Sequence, residues 1–130
     1  MIAVDTNVLV RYITNDDEDQ STLAINLLEK YSRKEKSIFI NNIVLCELVW
    51  VLSSGYKYKK AEIVKTLKLL LSSIELAFEN YELAFLAVTE YENSVGDFSD
   101  ILIGLINHYR GFKTYSFDRQ ALKSKYFVEL

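Results

Sequence analysis

Proline is absent from the 130 residues, and glycine, cysteine and histidine are scarce, at four, one and one. Without a proline- or glycine-rich stretch there is no flexible or polyproline linker to separate domains. The lone cysteine, Cys46, lies in the apolar run Ile43-Val44-Leu45-Cys46, which excludes a disulfide framework and a cysteine-based zinc site. It reads as a buried, inert thiol. Long hydrophobic runs are missing too. The start, "MIAVDTNVLV", is apolar but has no basic flank, reaches Asp5 at once and is too short to span a bilayer. A cytoplasmic protein with no membrane association is expected. Positive charge is not in excess, the net charge being −3. A nucleic-acid partner would therefore be held by a local basic patch or through cations, not by a generally positive surface. Two basic clusters, Lys57, Lys59 and Lys60, then Lys113, Arg119, Lys123 and Lys125, read as solvated faces. The one histidine, His108, sits near a helix end in "INHYRG", where its charge suits the helix dipole better than it suits a metal. Trp50 and the nine tyrosines read as packing residues.

Half the residues are apolar and a quarter charged, the composition of a folded domain large enough to bury a core without staples. One domain over residues 1–130 is expected. Short β-type runs alternate with helical patterns: "IAVD", "LAINLLEKYSRKEK", "SIFIN", "IVLCELVWVLSS", "KKAEIVKTLKLLL", "IELAF", "YELAFLAVTEYEN", "DFSDILIGLINHYRG", "KTYSF", and a short helix from Asp118. This order predicts an α/β fold, a mainly parallel central sheet of four to five strands flanked by helices. The first strand reads as buried on both faces. "NDDEDQ", at 15 to 20, is an acidic loop whose charges suit the N-terminus of the helix it leads into.

Several carboxylates stand in positions that call for explanation. In open α/β sheets the site lies beyond the carboxyl ends of the strands. Asp5 comes directly after "IAV", and Asp118 directly after "TYSF"; each by itself reads as the N-cap of the next helix. Glu47 has Ile43, Val44, Leu48 and Val51 at helical spacing, so its carboxylate is expected on a largely apolar surface. Burying it would require a partner. No basic residue lies between Asn41 and Gly55, so the partner must be tertiary or a metal. In "GDFSDILIGLI", Asp97 at N-cap and Asp100 at N3 match a capping box. A cap does not explain four acids, Asp5, Glu47, Asp100 and Asp118, near one sheet edge. Like charges brought together need a cation. Oxygen ligands alone favour Mg²⁺ or Mn²⁺ over zinc, and such acidic clusters serve phosphodiester cleavage. At the positive end of its helix, Asp100 is expected to stay ionised for such a cation.

At these residues the sequence resembles the PIN-domain family and, within it, the VapC toxins of bacterial type II toxin–antitoxin systems. "VDTNVLVRYITNDD", "IVLCELVWVL", "DFSDILIGL" and "TYSFDRQ" resemble the four family motifs in order and spacing. The resemblance implies an Mg²⁺-dependent ribonuclease, with Mn²⁺ as substitute, cutting single-stranded regions of structured RNA and leaving 5′-phosphate and 3′-hydroxyl ends. Asp5, Glu47, Asp100 and Asp118 would be the catalytic and metal-binding acids, Asp5 and Asp100 the direct ligands. Thr6 and Asn7 would orient a ligand or water. Asp97 would be a cap, an outer group or both, and Ser116 stands where the family commonly has a hydroxyl. It further implies a homodimer, a transfer- or ribosomal-RNA substrate, and a VapB-like antitoxin through which alone DNA is reached. The antitoxin would lie in an apolar groove, for which Ala24 to Leu28 and Ile43 to Leu52 have the character, and push a basic side chain into the acidic site.

Two other classes compete. A catalytically inactive PIN-like module would bind RNA or protein without a metal. A phosphatase or receiver domain also gathers acids at strand ends, but a receiver needs a phosphoacceptor aspartate ending its third strand, and "SIELAFEN" offers none.

Overall fold

The computed structural model describes residues 1–130. Two compact units are described in turn, Met1–Glu79 and Asn80–Leu130. No helix is long and apolar enough to cross a membrane.

The first unit is built on a parallel sheet of β1 (Ile2–Ala3), β2 (Ile38–Ile40) and β3 (Leu76–Phe78), in that order. Ile2 pairs with Ile38, and Ile38 with Leu76. Helices α1 (Thr6–Thr14) and α2 (Glu18–Lys30) make the first crossover; α3 (Asn42–Trp50) and α4 (Lys60–Ser72) make the second. Asp5 caps α1 by accepting from the Val8 amide at 3.2 Å, and Asn41 caps α3 through Val44 at 2.9 Å. The strands are parallel, so both caps lie at the same, carboxyl edge of the sheet. Ile38, Ile40, Leu9, Leu48, Leu52, Ile63 and Leu67 are the fully buried core. β1 is not buried on both faces: Ala3 is exposed. Such a short edge strand is covered on one side only.

Past Trp50 the helix widens into a π turn, Val51–Gly55. Tyr56, just beyond it, donates its hydroxyl to Asp16 Oδ2 at 2.6 Å and accepts from Arg11 Nη1 at 3.1 Å, while Arg11 pairs with Asp16 Oδ1 at 3.0 Å. The acidic loop therefore does two things: Asp17 caps α2 through Gln20, and Asp16 joins α1 to the end of α3. The Tyr56 hydroxyl, then Thr14 and Arg11, hold the Asp16 carboxyl down at about 2, against an ordinary 3.8. A depressed folded pKa stabilises the fold above the ordinary value, and that contribution is lost as pH falls through the folded one. Tyr56→Phe is accordingly expected to lower stability modestly at neutral pH, with the difference from the parent shrinking below about pH 3.8 and vanishing near about pH 2, as measured by urea denaturation followed by circular dichroism.

In the second unit, α5 (Tyr81–Asn93) buries Leu83, Ala84, Ala87, Val88 and Tyr91, and α6 (Phe98–Tyr109) buries Phe98, Ile101, Leu102 and Leu105. Both sets have the i, i+3, i+4, i+7 spacing of one helix face. Tyr91 and Phe98 meet edge to face at 5.6 Å. α6 ends in a Schellman motif: Phe112 donates to the Asn107 carbonyl and Gly111 to that of His108, with Gly111 at φ +83°. His108 is in the last turn, its ring against Tyr109 and Tyr126.

Beyond α6 lies a two-stranded parallel pair, β4 (Thr114–Ser116) with β5 (Phe127–Glu129). The α/β class and the parallel pairing are as expected. The five strands divide into three and two, however, so neither sheet reaches four. β5 carries no clear sequence signal, because "FVE" is short and no turn residues mark it off. The helix expected from Asp118 shrinks to one 3₁₀ turn, Ala121–Lys123.

Gly104 lets β5 approach α6. A Cβ there would lie 2.7 Å from the Phe127 ring and 3.0 Å from Tyr126 Cβ, and the latter is too near the backbone to swing away. Gly104→Ala is expected to destabilise by about 1–3 kcal/mol through overpacking, despite the roughly 1 kcal/mol that helix propensity returns. Urea denaturation measures the balance.

Candidate active site

In the first unit the extended Asp5 backbone (φ −90°, ψ 178°) turns the chain from β1 into α1. One carboxylate oxygen, Oδ1, serves the helix cap; the other is left for a ligand. Thr6 is buried, and its hydroxyl donates to Glu47 Oε1 at 3.0 Å, across 41 residues of chain. Asp5, Thr6 and Glu47 are thereby brought together at the edge where α1 and α3 begin. The Glu47 carboxylate is not buried. It lies on the exposed face of α3 with Ile43 and Trp50, which are 69% and 67% exposed. The surface it emerges from is apolar; because α3 is apolar almost all round, periodicity alone does not tell its solvent face from its core face. The tertiary hydrogen-bond partner of Glu47 is the Thr6 hydroxyl. Asn7 is exposed. Cys46 is half-buried, not enclosed.

In the second unit Asp97 occupies the N-cap position of α6, but its side chain accepts no capping bond. The capping box suggested by the spacing is not formed. Asp100, in the first turn, is half-buried. Burial, then the charges of Asp97 and Asp118, push its carboxyl pKa up. The positive end of the helix dipole acts in the opposite direction, toward the ionised form. Asp118 is held in a turn: its Oδ1 accepts from the amides of Gln120 at 2.8 Å and Ala121 at 3.5 Å, and its own amide donates to Ser116 Oγ at 2.9 Å. Ser116 thus sets the direction in which the Asp118 loop leaves β4.

Two acid groups result, Asp5 with Glu47 in one unit, Asp97 with Asp100 and Asp118 in the other. No group of three or more His, Cys, Asp or Glu side chains is arranged to hold a metal ion. Both groups nevertheless suit a hard cation chemically. All donors are oxygen, and the second group carries like charges with no cationic partner. Mg²⁺ is commonly held by only one or two carboxylates, keeping water and substrate phosphate in its other positions, so a closed protein cage is not required.

Sequence reading passed over Glu79 and Gln120 near these acids and took Lys123 for part of a solvated face. Glu79, after β3, accepts from the Asn42 amide at 3.0 Å and steadies the start of α3; its signal was the same strand-end position that marked Asp5. Gln120 and Lys123 line a cavity with Asp100, and no local pattern reveals this. An open cavity of about 720 Å³ in the first unit is lined by Leu9, Tyr12, Ile25, Leu28, Leu69 and Leu76, among others. α1, α2 and α4 line it; of α3, Val44, Leu45, Leu48 and Val49 are core, with Leu52 just beyond it, and Ile43 and Trp50 are exposed.

The model of the PIN domain family matches residues 2–127, from β1 into β5. Among curated proteins, the VapC ribonuclease of Aquifex aeolicus is 27% identical over 124 residues, covering 95% of this chain and 91% of that protein. With Asp5 and Asp118 placed directly after strands and a family match running through both units, the chain belongs to the PIN domain family.

Proposed function

We propose that the protein is a VapC-type toxin, a divalent-metal-dependent endoribonuclease that hydrolyses phosphodiester bonds in transfer or ribosomal RNA and is held inactive by a VapB-like antitoxin. The observation that carries this reading is Asp100: a half-buried carboxylate with no hydrogen bond or ion pair, facing the charges of Asp97 and Asp118. Such a group is costly unless a cation completes it. The family match across both units is the ground for assigning Asp5, Glu47, Asp100 and Asp118 to one reaction, and the likeness to a VapC ribonuclease supports RNA as substrate.

Asp5 and Asp100 are the direct ligands in this reading, with Glu47 and Asp118 completing the acidic set and Asp97 an outer group. Mg²⁺, or Mn²⁺ in its place, supplies Lewis acidity toward the attacking water and the leaving oxygen when bound. The residues of the chain do the positioning. The cap bond to Val8 engages Asp5 Oδ1 and leaves Oδ2 to meet the cation. The Thr6 hydroxyl holds Glu47 Oε1 and leaves Oε2 to accept a hydrogen bond from a water or to meet the cation. Ser116 and the turn at Asp118 stiffen the last acid. Asn7, exposed beside Asp5, can hydrogen-bond to water or substrate.

The groove among α1, α2 and α4 fits an amphipathic antitoxin helix, and DNA would be reached only through that partner. The homodimer expected of a VapC protein belongs to the same reading. Purified protein should cut single-stranded RNA in Mg²⁺, stop in EDTA, and lose about 10²-fold or more of its rate as Asp5→Ala. RNA binding without calorimetric uptake of Mg²⁺ or Mn²⁺ would identify an inactive binding module instead.

A further inference from the structure

We infer that a cavity of about 300 Å³ in the second unit is a nucleobase pocket for the RNA strand, with Gln120 reading the base and Lys123 holding an adjoining phosphate. This rests on the ribonuclease reading for the substrate class. The volume is at the lower end of the range for small-ligand sites. Its interior is apolar: Ile101 and Ala121 are buried, and Phe127 is half-buried. Its rim is polar. Gln120 and Lys123 are exposed. Neither side chain makes a hydrogen bond or ion pair, so both enter the cavity rim free. Asn93 spends its amide N–H on the Thr89 carbonyl, which leaves its oxygen as an acceptor.

This mixture selects among ligands. A bare anion is disfavoured, because Glu90 and Asp100 stand on the wall against a single ammonium. A flat, neutral, hydrogen-bonding group suits an apolar interior with amides at the rim, which is the chemistry of a base lifted from a single strand. The phosphate attached to that base would remain outside, within reach of Lys123. Since Asp100 is part of the wall, the base would be one flanking the bond that is cut.

The pocket is also preorganised. Asp118 accepts from the Gln120 and Ala121 amides, Ala121 is only 3% exposed, and Gly104 lets Phe127 lie close against α6. The loop carrying Gln120 and Lys123 is therefore held at both the acid and the core. Lys125 is different: its ammonium lies over the Tyr126 ring at 5.3 Å, and it does not line the cavity.

The test uses the full chain and short single-stranded RNA of random sequence. In EDTA, where no cleavage occurs, Lys123→Ala should weaken binding about tenfold and reduce the slope of log affinity against log salt by about 0.7, the loss of one phosphate contact. Gln120→Ala should leave the slope unchanged. In Mg²⁺, sequencing of the new 5′ ends should show a base preference at one position beside the cut that Gln120→Ala flattens and Lys125→Ala retains. If both variants bind with parental affinity and cut with the parental profile, the pocket assignment is wrong while the ribonuclease reading stands. If the parent shows the predicted binding but never cuts in Mg²⁺, the reverse holds.

Discussion

Asp100→Asn is expected to abolish Mg²⁺-dependent RNA cleavage, by about 10³-fold or more, and to raise the melting temperature of the metal-free protein by about 1–3 °C. The two effects share a cause. Asp100 is half-buried beside two like charges, and its carboxyl pKa is pushed up by burial first, then by Asp97 and Asp118. A carboxyl whose folded pKa lies above its ordinary 3.8 opposes folding once it ionises. That penalty is absent well below the ordinary value, where both states are protonated, and it is complete above the raised folded value. Asparagine keeps the shape and removes the charge, so the gain should be seen at neutral pH and vanish in acid. Mg²⁺ should raise the melting temperature of the parent by mass action and leave that of the variant unmoved. Thermal unfolding in EDTA and in Mg²⁺, at about pH 3 and about pH 7, separates these cases. A variant less stable than the parent at neutral pH would contradict the account of Asp100 as a strained, unpartnered charge.

Phe98→Ala should cost about 3–5 kcal/mol of stability, the range for deleting a fully buried ring. Phe98 is 0% exposed and packs edge to face against Tyr91. It is also the first residue of α6, between Asp97 and Asp100. Since the Asp97 side chain forms no capping bond, the first turn of α6 is held by this ring, by buried Ile101 and by the Ile101 amide on the Asp97 carbonyl. Cleavage should therefore fall further than the unfolded fraction explains. Phe98→Leu, which keeps most of the volume, should cost less than about 1.5 kcal/mol and restore most of the activity. Urea denaturation gives the stability difference, and rates at a denaturant-free temperature where both variants are folded give the positional effect.

Much of this was legible in the residues alone. Asp5 as a cap, Asp17 at the start of α2 and the helix end in "NHYRG" all form as expected, because each depends on groups within a few positions of one another. The alternation of strands and helices, and hence the α/β class, arises from local periodicity in the same way. Asp97 shows the limit of such reasoning: its spacing to Asp100 fits a capping box, yet the side chain makes no capping bond, since spacing permits a bond without requiring it. Glu47 shows another limit. Its helix is apolar on nearly every side, so which face meets solvent depended on what packed against it.

By itself, then, the sequence determined the caps at Asp5 and Asp17, the order of the elements as far as β4, the parallel crossovers and the placing of Asp5 and Asp118 after strands, all consequences of local propensity and chain connectivity. Tertiary structure alone decided that Glu47 is exposed and bound by Thr6, 41 residues away, that Asp100 is half-buried without a partner, and that Gln120 and Lys123 share a cavity with it. Those outcomes depend on which distant segments displace water from a given side chain, and no local pattern encodes that.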